Sequence, residues 1–244
     1  WAHLPLIHGP DGAKLSKRHG AQAVSEFDSM GYLPEAMRNY LARLGWGHGD
    51  DEIFSDEQAM RWFDIADVVS APSRLDWAKL NHLNNHYIRQ ADPARLADLV
   101  TAIHESRDLK VPGASRATLE RTIPLVRDGA KTLLDLADAT VFVLAQRPLE
   151  MPEKAGTLLA GETLERLGRL RERLQASADW TVPALEATIR AFAESEGVGI
   201  GKFGPALRMS LAGSAPAPDL AGALVALGRD ESLARLDDAL SRAA

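Results

Sequence analysis

The chain has 244 residues, with 28 Lys and Arg against 34 Asp and Glu for a net charge of −6, 45% hydrophobic residues and no cysteine. That length allows one large or two to three small domains with sizeable cores, and the lack of cysteine excludes disulfides and thiolate metal sites in these residues. No apolar run approaches the ~18 residues of a membrane helix, no charged-then-apolar leader opens the chain, and the acidic balance argues against binding nucleic acid through net charge alone.

Near the start, Gly9-Pro10-Asp11-Gly12 precedes Lys14-Leu15-Ser16-Lys17-Arg18, and His19-Gly20 follows. Two lysines and an arginine between Gly12 and Gly20 predict a mobile cationic loop. Lys point charges on flexible backbone suit closure on a polyphosphate as its negative charge develops. A Lys/Arg cluster of this size taken alone reads more often as a solvated turn. A chain without an initiator Met that carries such a loop so early reads as the later part of a longer protein.

Further along, the spacing is helical almost throughout. Leu33, Met37, Tyr40, Leu41 and Leu44 mark one apolar helix face, with Pro34 at the first helical position and Gly45 at the stop. Ser55-Asp56-Glu57-Gln58 reads as a capping box opening a helix with Met60, Trp62 and Phe63. Asp92-Pro93 starts another helix, with Leu96, Leu99, Val100 and Ile103 on its apolar face. Val141-Phe142-Val143-Leu144 has strand propensity but continues the helical pattern of Leu133, Leu136 and Ala137. The prolines of Arg147-Pro148-Leu149-Glu150-Met151-Pro152 interrupt helical text and suggest a domain border. Asp219 is expected to cap a helix over 220–227 that Gly228 ends, and Asp230 to open the last one. No run of strict alternation is long enough for a sheet.

The expectation is an all-α chain of three units, 1–90, 91–147 and 148–244. These carry 9 Lys/Arg against 12 Asp/Glu, 8 against 8, and 11 against 14, so the acid excess is thin and leaves room for a local basic stripe. His3 and His8 read as structural. His48 beside Asp50 and Asp51 fits no standard metal spacing and reads as a polar turn, so no metal site is expected. Trp46 and Trp62 read as core. Arg166, Arg169 and Arg173, interleaved with Glu162, Glu165 and Glu172, read as a solvated helix face.

The stretch His3-Leu4-Pro5-Leu6-Ile7-His8-Gly9-Pro10-Asp11-Gly12-Ala13-Lys14-Leu15-Ser16-Lys17-Arg18-His19-Gly20-Ala21 resembles the KMSKS loop of bacterial glutamate–tRNA ligases, which are class I aminoacyl-tRNA synthetases. The resemblance continues through Gly31–Trp46 and reappears at Lys79-Leu80-Asn81-His82-Leu83-Asn84, where the family usually carries Trp in place of His82. Weaker echoes lie at 127–133 and 202–208.

The resemblance implies an α-helical stem-contact region after the loop, then two helical anticodon-binding domains. Sister glutamine–tRNA ligases carry β-barrels there, which the helical periodicity disfavours. It also implies activation of glutamate by ATP with Mg and transfer to tRNA(Glu), with tRNA(Gln) left open as a second substrate. Lys17 and Lys14 are the implied catalytic residues, and Lys17, Lys14, Ser16 and Arg18 the implied ATP contacts. Arg127, Arg208, Lys202 and Phe203 are candidate tRNA contacts, since Arg reads base edges and an aromatic beside a charge suits RNA. The HIGH-type motif and the Rossmann sheet of such ligases are absent from these residues. The piece alone is therefore expected to be inactive and to hold no cofactor, within a cytoplasmic monomer that has no membrane contact. The competing reading is a free-standing RNA-binding or interaction module derived from the synthetase.

Overall fold

Helix starts follow local capping chemistry. In the computed structural model, which describes residues 6–15, 23–109, 111, 113–152 and 155–242, Pro34 opens α2 (Pro34–Arg43), where its fixed φ suits the first turn. The helix ends at Arg43, two residues before Gly45. The expected capping box opens α3 (Asp56–Trp62). The Gln58 amide donates to Ser55 Oγ at 3.2 Å, and the Ser55 amide to Gln58 Oε1 at 2.8 Å. Asp76 caps α4 (Trp77–Gln90) by accepting from the amides of Ala78 and Lys79 at 2.9 and 3.1 Å.

Two compact units emerge, one of residues 1–92 with 127–136, the other of 93–126 with 137–244. In the first unit α1 (Val24–Ser29), α2 and α4 close on Phe27, Tyr32, Met37, Tyr40, Leu75, Leu80 and Leu83. Asn84, fully buried, joins three segments of this unit. Its Oδ1 accepts from the Leu33 amide at 2.8 Å, and its Nδ2 donates to the carbonyls of Gly31 (3.3 Å) and Lys131 (2.7 Å). Gly31 is required there. Its φ is +83°, and a Cβ would meet the amides of Leu133 and Leu134 at 2.9 Å.

The second unit is a helical assembly. It contains α5 (Pro93–Ser106), α6 (Gly113–Val126), most of α7 (Leu133–Leu144), α8 (Ala155–Leu158), α9 (Gly161–Gln175), α10 (Val182–Ser195), α11 (Gly204–Ala212), α12 (Leu220–Leu227) and α13 (Arg229–Arg242). Leu167, Leu170, Leu174, Leu185, Ile189, Phe192, Phe203, Leu207, Leu224 and Leu236 fill its core. The stretch 141–144 is helical, as its spacing predicts. Asp219 caps α12, accepting from the Gly222 amide at 2.8 Å.

Buried Arg235 joins three of these helices. It donates to the carbonyls of Phe142, Leu211 and Ala145 at 2.8, 2.6 and 2.8 Å, and to Glu231 Oε1 at 2.7 Å. Among the described residues, strands are confined to β1 (Ile7–His8) and β2 (Ser73–Arg74), paired in parallel in the first unit. A two-residue strand is too short for alternation to betray it. The fold is all-α otherwise, as expected.

Candidate nucleic-acid interface

The sequence Gly9-Pro10-Asp11-Gly12 makes a tight turn. The Gly12 amide donates to the Gly9 carbonyl at 3.0 Å, the Gly9 amide to the Ala13 carbonyl at 2.8 Å, and the Ala13 amide to Asp11 Oδ1 at 2.9 Å. Pro10 suits the second turn position, and Gly12 takes φ +79°. The returning chain pairs with β1, with the Leu15 amide donating to the Ile7 carbonyl at 2.9 Å and Lys14 bridging His8. On the other side β2 is held in register His8↔Arg74, with the Leu75 amide donating to the His8 carbonyl at 2.8 Å.

The described half of the expected mobile loop is thus a hydrogen-bonded hairpin with Lys14 exposed on its return arm. Ser16, Lys17 and Arg18 lie outside the described residues, as does His3. His8 has the structural role expected of it.

Beside the hairpin, α4 forms the ridge between two clefts. The first, about 480 Å³, is lined by Tyr40, Arg43, Glu52, Arg74, Asp76, Lys79 and His82, among others. Arg43 is engaged by the Asp51 carbonyl at 2.6 Å and by Glu52 at 3.4 Å. The side chains of Arg74 and Lys79 have no hydrogen-bond or ion-pair partner among the described residues. The second cleft, about 490 Å³, is lined by Ala78, Asn81, His82, Asn85, Asp128, Gly129 and Lys131. Asn85 builds its wall by donating to the carbonyls of Arg127, Asp128 and Ala130 at 3.4, 3.2 and 2.7 Å.

Unpaired cations are what a phosphate backbone seeks, because a guanidinium or ammonium already neutralised by a carboxylate releases little on binding. Among the described residues, Lys14, Arg74, Lys79 and Lys131 meet that condition in the first unit. Much of the basic surface of the second unit is instead spent on ion pairs. Arg169 is bidentate on Glu196 at 2.8 and 2.6 Å, and Arg166 also reaches Glu196, at 3.4 Å. Arg171 is bidentate on Asp237 at 2.7 and 2.8 Å. The helix face read from sequence as merely solvated therefore joins α9 to the end of α10.

The remaining candidates are divided between the two units. Arg127 donates to the Ala91 carbonyl at the end of α4 at 3.3 Å. Arg208 is on α11 and donates to the carbonyls of Ala217 and Pro218, the first at 2.9 Å, pinning the Pro-rich loop. Lys202 is exposed. Phe203 corrects the expectation of a base-stacking aromatic. It is 0% exposed and packs edge-on against Phe192, with centroids 5.3 Å apart, so it presents no ring face to RNA in this fold. The Lys-Phe pairing reads the same whether the ring points in or out, and the apolar face of α10 decides it.

Trp62 is half-buried rather than core, stacked on His48 with centroids 4.2 Å apart, and His48 Nδ1 lies 3.2 Å from Asp51 Oδ2. No group of three or more His, Asp or Glu side chains among the described residues is placed to hold a metal ion. Arg74 carried no signal in the sequence, because only the β1–β2 pairing brings it to the first cleft, and Lys131 stood in the weak echo at 127–133 without being singled out. Lys79 and His82 did stand in a quoted motif.

Residues 80–240 match the anticodon binding domain family, and residues 1–82 the catalytic domain of class I tRNA synthetases (E and Q). The chain is similar to the glutamate–tRNA ligase of Phenylobacterium zucineum, 74% identical over 244 residues, which is 100% of this chain and 52% of that protein. To that of Caulobacter vibrioides it is 60% identical over 241 residues, 99% of this chain and 51% of that protein. A crystal structure of a glutamate tRNA ligase from Elizabethkingia meningosepticum in complex with its amino acid aligns at a TM-score of 0.78 with 26% identity, over 100% of this chain and 51% of that one. The chain spans about half the length of the curated relatives it matches. With the anticodon-binding match covering more than half of its residues and the ligase likeness running end to end, the chain belongs to the anticodon-binding-domain family as it occurs in class I glutamate–tRNA ligases.

Proposed function

We propose that these residues are the tRNA-binding part, with the signature loop, of an ATP-dependent glutamate–tRNA ligase that charges tRNA(Glu). The observation that carries this is the union of an anticodon-binding match over 80–240 with a synthetase catalytic-domain match over 1–82 that contains the KMSKS-like loop. In the first step a glutamate carboxylate oxygen bonds to the α-phosphorus of ATP while the P–O bond to the β-phosphate breaks, and pyrophosphate leaves with that electron pair. Charge gathers on the leaving group, so cations that reach it only then lower the barrier rather than merely tighten ATP binding. Lys17 and Lys14 supply such charge in this reading, with Ser16 and Arg18 as further ATP contacts. The magnesium that accompanies ATP meets no carboxylate cluster among the described residues, and the chain's own contribution to this step is cationic.

The unpaired cations Arg74, Lys79 and Lys131 along α4 support binding of a tRNA backbone in the first unit. Arg127, Arg208 and Lys202 are proposed contacts to the anticodon arm, and 1–90, 91–147 and 148–244 are the proposed partition by role, distinct from the two compact units. The setting is a cytoplasmic monomer. Among the described residues no helix is long and apolar enough to cross a membrane.

Residues 1–244 produced alone are expected to bind tRNA(Glu) with affinity falling steeply in salt, and to give no ATP–pyrophosphate exchange with glutamate. Exchange by this piece alone would overturn the division of labour. Equal binding at low and high salt would overturn the backbone contacts.

A further inference from the structure

Arg74 is held in an unusual place for an unpaired cation. The register His8↔Arg74 sets its backbone beside β1, and its guanidinium comes forward against the Gly9–Gly12 turn. A Cβ built on Gly12 would lie 3.3 Å from Arg74 Nη2 and 3.6 Å from Cζ. The guanidinium thus lies against Gly12, beside the place where any other residue would carry its Cβ. A planar guanidinium packs flat on such a surface, which an ammonium does not. Among the described residues Arg74 has no carboxylate or carbonyl partner that would draw its side chain elsewhere. The turn it touches is two residues from Lys14 and leads directly into Ser16-Lys17-Arg18.

We infer that Arg74 is a positioning residue for the adenylation step. It braces the Gly9–Gly12 turn, from which the sequence continues through Lys14 to Lys17. The inference rests on the function proposed above, in which Lys17 acts on pyrophosphate as it leaves the α-phosphorus. Misplacing a catalytic group by about 1 Å costs up to ~100-fold in rate, and a brace on the turn controls a displacement of that size.

The test is ATP–pyrophosphate exchange by the full-length gene product at saturating glutamate and tRNA, with far-UV melting curves alongside. Arg74→Ala should lower kcat by about 10- to 100-fold with the KM for ATP nearly unchanged and the melting curve intact. Arg74→Lys should restore only part of that rate. Gly12→Ala should also lower kcat, since its methyl presses on the guanidinium and its φ of +79° is strained for alanine. Parental kcat in both Arg74→Ala and Gly12→Ala, with Lys17→Ala inactive, would overturn the brace while leaving the function standing. An effect of Arg74→Ala confined to the KM for tRNA would leave Arg74 an RNA contact alone and overturn the positioning role. Full exchange by Lys17→Ala would overturn the loop reading itself, and the brace with it.

Discussion

Asn84 shows how much one amide can hold. It accepts from the Leu33 amide and donates to two carbonyls in segments 53 and 47 residues away along the chain. Asn84→Ala would leave those buried groups unpaired at about 1–3 kcal/mol each. Urea unfolding should therefore show a loss of at least about 2 kcal/mol. The sequence displays Asn84 within a family motif but not this role, because its partners are distant in the chain.

His104 is a second such residue. It is fully buried, its Nε2 donates to Thr140 Oγ1 at 3.1 Å, and Thr140 Oγ1 in turn donates to the Ala137 carbonyl at 2.8 Å, so Nδ1 is left bare, with no partner among the described residues. Burial, and then the nearby Arg107 cation, hold the His104 pKa below its ordinary 6.5, while Asp138 opposes them. The unfolded chain then binds the proton more readily than the folded one. This contribution is present in full above about pH 6.5 and is lost as pH falls from there through the folded value. Denaturant midpoints should drop between pH 7.5 and 5.5, and His104→Phe should shrink that drop.

At the scale of elements, the helix starts were legible because a cap is a local contract between a side chain and amides two or three residues on. Ser55 and Asp219 act as read, and Pro34 and Pro93 each open a helix. What escaped reading is how elements join. Arg235 looks like any charged residue of an amphipathic last helix, yet it is buried and serves carbonyls 93, 90 and 24 residues away. Arg235→Met would strand those carbonyls and Glu231, at about 3–5 kcal/mol, to be measured as a lowered denaturation midpoint. Gly31 is a comparable joint in the first unit. Gly31→Ala sets a methyl 2.9 Å from two backbone amides at a positive φ, and a lowered melting temperature is the expected readout. The two-residue strands were invisible for a simpler reason, their length, and with them went the link from Arg74 to the signature turn.

For the whole molecule, net charge and charge pairing point in different directions. An overall −6 conceals a ridge of cations beside α4 without carboxylate partners among the described residues, while much of the arginine of the second unit is tied to Glu196, Asp237 and Asp238. Replacing Arg74, Lys79 or Lys131 singly by Ala should reduce the slope of log affinity against log salt for tRNA by about 1 each, while Arg171→Ala should leave it unchanged. The burial of Phe203 could be seen only once α10 was packed against it. The most direct test of the account is attachment of labelled glutamate to a tRNA(Glu) transcript by the full-length gene product, with Lys17→Ala in parallel. Charging of the tRNA by the parent, with kcat about 100-fold lower or worse in Lys17→Ala, is the predicted result; no glutamate on the tRNA, or equal rates for the two proteins, would contradict it.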